Sequence, residues 1–313
     1  MTIINQIIFH QTCESCTIGE NSFFYDFSKD FLLPVLLALL ASYMVYWVFV
    51  KETKRDKQKE KDAEIQQQKD NLQYFSNIIA SGTRTSEHQN EYLKEFVTLL
   101  DSDHVNFHLL TFISLNDLRR VTEDLNLEKY LLAYVNYYNG DRKASIKEFN
   151  EIITSVDFLH EILKQIPLQL QKAQEFDTER KLKFQRQFEA AFNLTAKIVV
   201  DLQSSDIGTS EEMSKLGDAF QISHPGNNYD LEFYYTHFFV PFNDFAVSYI
   251  LSGKPDNLDI KELGILTRDG KQSYLHIVSE NQTLAKDFKE QNELITSAII
   301  ELKKHAKRLT ENF

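Results

Sequence analysis

Residues 31–50 form an apolar run of twenty residues without a charged side chain. As a helix, this run is about 30 Å long, which matches the hydrocarbon thickness of a bilayer. Tyr43, Tyr46 and Trp47 lie towards its C-terminal end, and amphipathic rings favour the level of the lipid headgroups. We therefore predict a transmembrane helix over residues 31–50. A buried core helix is one alternative. A cleaved signal peptide is the other, but a basic segment before the run is missing and the run is too long.

Basic residues are distributed unequally around this run. Lys29 precedes it, whereas six basic residues follow it closely: Lys51, Lys54, Arg55, Lys57, Lys59 and Lys61. By the positive-inside rule, the C-terminal body faces the cytoplasm and residues 1–30 form an extracytoplasmic tail. We expect a single-pass protein of a bacterial inner membrane, with the lipid bilayer as its first partner.

After the apolar run, a polar segment comes first and a segment with apolar residues at helical spacing follows it. Residues 51–71 are polar on nearly every face and lack Gly and Pro, which favours a juxtamembrane helical stalk that continues the transmembrane helix. From Leu72 onwards, apolar residues return at helical spacing. We predict a mainly α protein in which residues 72–313 form a cytoplasmic helical bundle.

Several residues in this bundle are typical of helix ends. Ser81-Gly82 and Pro167 are expected to end helices, and so are residues 101–103. Asp141 is expected to cap the start of a helix. These signals predict a bundle of several helices of moderate length.

One small β-hairpin is also expected. Asp269-Gly270 is a turn-forming pair between two short stretches with β-forming residues, 264–268 and 273–278. The last helix would then begin near Asn281.

Composition supports long helices and excludes some functions. The chain has 24 Phe and 14 Tyr but only 9 Gly and 5 Pro, which is too few turn-forming residues for an all-β sandwich. The net charge of −12 disfavours general nucleic-acid binding, because phosphate contacts require clustered Lys and Arg. Cys13 and Cys16 cannot form a disulfide scaffold, and whether they are incidental or bridged stays open.

Residues 233–251 contain eight aromatic side chains in nineteen positions. A buried helix is one interpretation. A second membrane span is another, although its polar residues and Pro241 would be costly in a bilayer. A ligand or partner pocket is the third, because aromatic walls with few polar groups suit recognition. In that case Tyr234, His237, Phe242 and Asp244 would line the pocket, with His237 and Asp244 as its polar groups.

The sequence offers little catalytic or metal-binding chemistry. His104 and His108 are four residues apart, but no Glu follows the first one as in the zincin motif, so they are only weak metal candidates and no metal is expected. No phosphate-binding or dinucleotide-binding glycine pattern is present in the sequence, so no cofactor is predicted. Arg84 and His88 have three residues between them, fewer than the four to six of helical ribonucleases of the HEPN class.

Small side chains lie on one face of the predicted transmembrane helix. Ala38 and Ser42 are four residues apart, with Ala41 beside them. Such a patch allows close approach of two helices and predicts a homo-oligomer.

The layout over residues 25–165 resembles uncharacterised bacterial single-pass membrane proteins with a cytoplasmic helical domain, some of them found among anti-phage defence genes. The resemblance is carried by the flank YWVFVKETKRDKQKEK and by the segments SLNDLRRV and KEFNEIITSVDFLHEI. It implies a defence-related sensor or effector that acts through an unknown cytoplasmic protein or small ligand, and it identifies no catalytic residue. A membrane-tethered helical enzyme such as a nuclease and an envelope-complex scaffold are the alternatives.

Overall fold

The computed structural model describes residues 28–138, 141–223 and 230–312, so Cys13 and Cys16 lie outside the described residues. The helices are α1 (Leu33–Ser102), α2 (Asn116–Arg119), α3 (Leu127–Tyr138), α4 (Arg142–Leu202), α5 (Ile207–Ser223), α6 (Leu231–Tyr234), α7 (Val240–Leu251) and α8 (Leu258–Asn312). Turns of π-helix precede α1 (Ser28–Leu32), follow α2 (Arg120–Asp124) and join α6 to α7 (Tyr235–Phe239). Over these ranges the chain forms no strand, and the prediction of a mainly α fold is confirmed.

The chain divides into two compact units, Met1–Gln67 and Gln68–Phe313. In the first unit, every side chain from Phe31 to Phe49 is exposed. The most apolar window of this helix has a mean hydropathy of 2.1, and none of it is buried. The helix is thus long and apolar enough to cross a membrane, and the polar residues 51–71 continue it as predicted.

The second unit is organised around two long helices, α4 and α8, which run antiparallel. Their side chains pair in opposite order along the chain, as shown by Glu148 with Arg308, Gln169 with Gln291, Arg180 with His276, Gln187 with Ser273, and Lys197 with Asp259. Both helices place buried residues at heptad spacing, which is the pattern of helices that pack along a common seam. This pair forms the framework on which the shorter helices pack.

Two hydrophobic cores lie along this pair. The first contains the C-terminal part of α1, the N-terminal half of α4 and the C-terminal half of α8, with Phe75, Phe96, Phe149 and Phe288 among its buried members. The second contains the opposite halves of α4 and α8 together with α5–α7, and Phe184, Phe220, Phe238 and Phe239 are buried there.

The predicted β-hairpin is wrong, because residues 264–268 and 273–278 belong to α8. Gly270 does not form a turn. A Cβ atom at this position would lie 2.0 Å from Cε1 of Phe239, so glycine permits the ring to pack directly against the helix backbone. Because the residues of the predicted hairpin are helical, α8 begins at Leu258 rather than near Asn281.

Two predicted helix ends are also wrong. α1 continues through Ser81-Gly82, where the glycine allows close packing: a Cβ atom there would lie 2.9 Å from Cδ2 of Leu118. α4 continues through Pro167, because Ile166 and Leu170 are buried on either side and their packing offsets the lost backbone hydrogen bond.

Two other boundaries are confirmed. α1 ends at Ser102, within the expected 101–103 stretch. Asp141 caps α4, and its side chain accepts a hydrogen bond from the backbone N–H of Lys143 at 2.9 Å.

Candidate functional site

The four residues proposed to line a pocket in 233–251 do not share one environment. Tyr234 and Phe242 are buried in the second core, whereas His237 and Asp244 are exposed. The His237 ring lies 4.7 Å from that of Phe233, and Oδ1 of Asp244 lies 3.8 Å from Nζ of Lys271. The structure therefore separates the aromatic members of this set from the polar ones.

The aromatic side chains of this stretch pack mainly against each other and against α4 and α5. The Phe238 ring lies 4.9 Å from Phe188, 5.3 Å from Phe220 and 4.6 Å from Phe242, measured between ring centroids. Edge-to-face and tilted pairs of this kind stabilise a core beyond the area they bury. This arrangement agrees with the buried-helix interpretation.

The two weak metal candidates lie in a turn after α1 and not on a helix. Nδ1 of His104 and Nε2 of His108 are buried without a hydrogen-bond partner in the described part of the chain. Within residues 28–138, 141–223 and 230–312, no group of three or more His, Cys, Asp or Glu side chains is placed to hold a metal ion.

Asp103 fixes this turn. Its carboxylate accepts hydrogen bonds from the backbone N–H groups of Val105 and Asn106, each at 3.0 Å, and from the Asn106 side chain at 2.8 Å. Partial burial alone would raise the pKa of Asp103, but these hydrogen bonds outweigh it and the pKa lies below its ordinary value. The turn is tied to α8 by Asn281, whose side chain donates to the carbonyl of His104 at 2.7 Å.

Asn281 belongs to a polar section of the α4–α8 interface between the two cores. From residue 171 to residue 183, the only buried side chain of α4 is Asp177. Across from it, from 278 to 284, the only buried side chain of α8 is Asn281. We call this section, with Asp177, Arg180 and Asn281, the polar junction.

The polar junction borders a cavity of about 230 Å³ between α4 and α8. Its lining combines apolar side chains with charged and amide groups: Gln169, Lys172, Ala173, Phe176, Asp177, Arg180, Ile277, Glu280, Asn281, Thr283, Leu284 and Asp287. A concave site that is partly apolar and has a few buried polar groups is the usual form of a small-ligand site.

Two charged groups in this cavity are only partly satisfied. Oδ2 of Asp177 lies 2.8 Å from Nζ of Lys181, while Oδ1 is buried and accepts no hydrogen bond from any described residue. Nη1 of Arg180 donates to Nδ1 of His276 at 2.8 Å, while its Nε is buried and likewise has no acceptor in the described chain. A buried polar atom without a partner costs about 1–3 kcal/mol, so such atoms are uncommon unless they have a role.

Two turns of α8 before Asn281, Tyr274 belongs to the second core, as does Ile277 between them. The Tyr274 ring stacks on Tyr235 with centroids 4.2 Å apart. Burial raises the pKa of Tyr274 to about 12, and the nearby carboxylates of Glu232 and Asp230 add to the shift. This hydroxyl stays protonated at neutral pH.

The sequence contains a signal for the polar junction that motif searching does not detect. Every seventh residue of α4 from Phe149 to Ile198 is apolar except Asp177. A single acidic residue on an otherwise apolar heptad seam marks a buried charge. Arg180, one turn further, is the next position of the same seam.

Other predicted residues lie on the surface. Ala38, Ala41 and Ser42 are exposed on α1. Arg84 and His88 are both exposed, one turn apart on α1.

Comparison of the chain with protein-family models, with curated proteins and with solved structures finds no match.

Proposed function

We propose that the protein is a membrane-anchored interaction protein of a bacterial inner membrane, a sensor or effector whose body lies in the cytoplasm. Residues 31–50 are its anchor, and residues 1–30 lie outside the membrane. The resemblance to single-pass proteins, some of them among anti-phage defence genes, supports a role in defence.

One observation carries this proposal: the side chains from Phe31 to Phe49 are all exposed. A core helix of a soluble protein with this hydropathy would be mostly buried. An exposed apolar surface of this extent is unfavourable in water and favourable in a bilayer.

The orientation rests on the flanking charges. Six basic residues within 51–61, against Lys29 alone on the other side, favour retention of the C-terminal side in the cytoplasm. The same cluster suits the anionic headgroups of the inner leaflet.

An exposed aliphatic patch supports contact with a partner. Val200, Ile207, Leu251 and Leu258 are 65%, 66%, 80% and 76% exposed. They flank two connections that lie side by side, because Lys254 pairs with Asp206 at 3.2 Å and Lys197 pairs with Asp259 at 2.8 Å. We call these four residues the end patch.

Cysteine labelling in intact cells tests the topology. A membrane-impermeant maleimide, added with a reductant, should label the native Cys13 and Cys16. In a variant with both replaced by Ser, a single Cys introduced by Ser204→Cys, at an exposed position of the body, should be labelled only after lysis. Labelling of Ser204→Cys in intact cells would show that the orientation is wrong.

Cross-linking in membranes tests self-association. Replacing Ala38 and Ser42 with Leu should reduce the cross-linked dimer if the helices approach through small residues. Leu36→Met with Leu40→Met, on the opposite face of the helix, is the matched control and should change nothing. Leu251→Ser with Leu258→Ser tests the end patch in the same assay, and a strictly monomeric wild type would remove self-association from the proposal.

A further inference from the structure

The polar junction holds two oppositely charged groups, each with a buried atom that has no hydrogen-bond partner among the described residues. Asp177 and Arg180 are three residues apart on α4, so they lie on one helix face with Cβ atoms about 5–6 Å apart. Asp177 is 8% exposed and supplies an unused acceptor, and Arg180 supplies an unused donor. Both line the same cavity.

The existing contacts leave these two atoms without a partner in the described chain, and because both atoms are closed to solvent, each side chain must rotate towards the cavity to reach a ligand there. Lys181 neutralises Asp177 through Oδ2, and His276 occupies Nη1 of Arg180. A molecule in the cavity that presents a donor to Oδ1 of Asp177 and an acceptor to Nε of Arg180 would satisfy both groups at once.

We propose that the polar junction binds a small zwitterion, an α-amino acid with an apolar side chain. Its ammonium group donates to Oδ1 of Asp177, and its carboxylate accepts from Nε of Arg180. Charge-assisted hydrogen bonds of this type are stronger than neutral ones, which favours a zwitterion over a neutral amide. Phe176, Ile277 and Leu284 provide apolar walls for the side chain.

The other charged residues that line the cavity are compatible with a zwitterionic ligand. Lys172 is opposed by Glu280 and Asp287, so the rim carries no excess of positive charge. A multiply charged anion such as a nucleoside triphosphate would be repelled, because its phosphates need several cationic partners. The volume of about 230 Å³ lies below the roughly 300–1,000 Å³ of sites for drug-sized ligands, which favours a ligand as small as a single amino acid.

This inference deepens the proposed function, on which its meaning as ligand sensing rests. Binding itself depends only on residues of the second unit. A protein with another topology could still bind the ligand, so the two proposals fail separately.

Isothermal titration of the full-length protein in detergent micelles tests the proposal. The probes are L-leucine and L-phenylalanine, with L-leucinamide lacking the carboxylate and N-acetyl-L-leucine lacking the ammonium group. We expect saturable binding of at least one of the two amino acids. Removal of either charged group from leucine should weaken binding about tenfold or more, since each charge-assisted hydrogen bond contributes at least that factor.

Two variants test which residue binds the ammonium group of the ligand and which binds its carboxylate. Asp177→Asn should weaken binding of leucine and leucinamide and leave N-acetyl-leucine nearly unchanged. Arg180→Gln should weaken binding of leucine and N-acetyl-leucine and leave leucinamide nearly unchanged. Glu179→Gln removes an exposed charge from the same turn of α4 and is the matched control, with wild-type affinity expected.

The competing explanation is that Asp177 only fixes the register of α4 against α8. Under that explanation, wild type shows no heat of binding with either amino acid up to millimolar concentration, and this result overturns the proposal. If both variants lost affinity equally for all probes, at unchanged melting temperature, this result would also contradict the assigned orientation of the ligand, with its ammonium at Asp177 and its carboxylate at Arg180.

Discussion

Residues 31–50 and residues 233–251 are two helical stretches of similar length, both apolar and rich in aromatic residues, yet their environments are opposite. Phe49 is 65% exposed, whereas Phe238 is fully buried. The first stretch has no charged residue, and the second has His237 and Asp244. Aromatic content alone therefore does not tell an exposed apolar helix, suited to a membrane, from a core helix.

The position of the polar residues makes the difference. In the second stretch, Thr236, His237, Asp244 and Ser248 are all exposed, while Phe238, Phe242 and Phe245 face the core. The stretch is thus amphipathic, with a face for water and a face for protein. Residues 31–50 are apolar on all sides and have no face suited to water.

The largest effect is expected from charges in the first stretch. Leu39→Arg with Leu40→Arg places two charges near the middle of the span, and each costs about 2.5–3.5 kcal/mol of insertion free energy. The protein should leave the membrane fraction after an alkaline carbonate wash. Leu39→Met with Leu40→Met is the control and should remain in that fraction.

The body of the Arg variant should keep its helicity and melting temperature, measured by circular dichroism. A double-Arg variant that stays fully in the membrane fraction would show that residues 31–50 are not the anchor.

The same substitution in the two stretches should have different consequences. Phe238→Ala removes a fully buried ring and should lower the free energy of unfolding by about 3–5 kcal/mol. For a body of this size, the melting temperature should fall by about 6–20 °C. Phe49→Ala, at an exposed ring, should leave the melting temperature of the body unchanged. Equal shifts for the two variants would contradict the assigned environments.

A smaller effect is expected where the second stretch meets α8. Gly270→Ala would force a methyl group into the ring of Phe239, which is fully buried, and should cost about 1–3 kcal/mol of stability. Gly217→Ala is the matched control, because open space surrounds this position of α5. There the gain in helix propensity should stabilise the protein by about 0.5–1 kcal/mol. Thermal melts of the two variants should therefore shift in opposite directions.

These glycines explain why the fold was only partly predictable from the sequence. The helical class, the apolar N-terminal helix and the cap at Asp141 follow from local patterns. Gly82 and Gly270 read locally as breakers, but each serves contact with a side chain distant in sequence, Leu118 and Phe239 respectively. A local pattern carries no information about such a contact.

The candidate sites show the same limit. Residues 233–251 stand out by composition, but composition does not say which side chains face outwards. Asp177 is inconspicuous in a charged segment, and only its heptad position shows that it is buried. The cavity beside Asp177 is formed by α4 together with α8, and no local pattern predicts that these two helices pack together.

The smallest effects are expected at the exposed polar residues of the second stretch. His237→Ala and Asp244→Ala should each change stability by less than about 0.5 kcal/mol, since surface substitutions rarely exceed this value. The Asp244 side chain is 68% exposed, and its ion pair with Lys271 at 3.8 Å is of a kind that contributes about 0–1 kcal/mol.

Tyr234→Ala and Phe242→Ala, at buried rings, should lower the melting temperature clearly. The pocket hypothesis for these four residues requires a cellular phenotype that is lost in His237→Ala or Asp244→Ala while the melting temperature is unchanged. A full phenotype in both variants would leave the stretch with a structural role only.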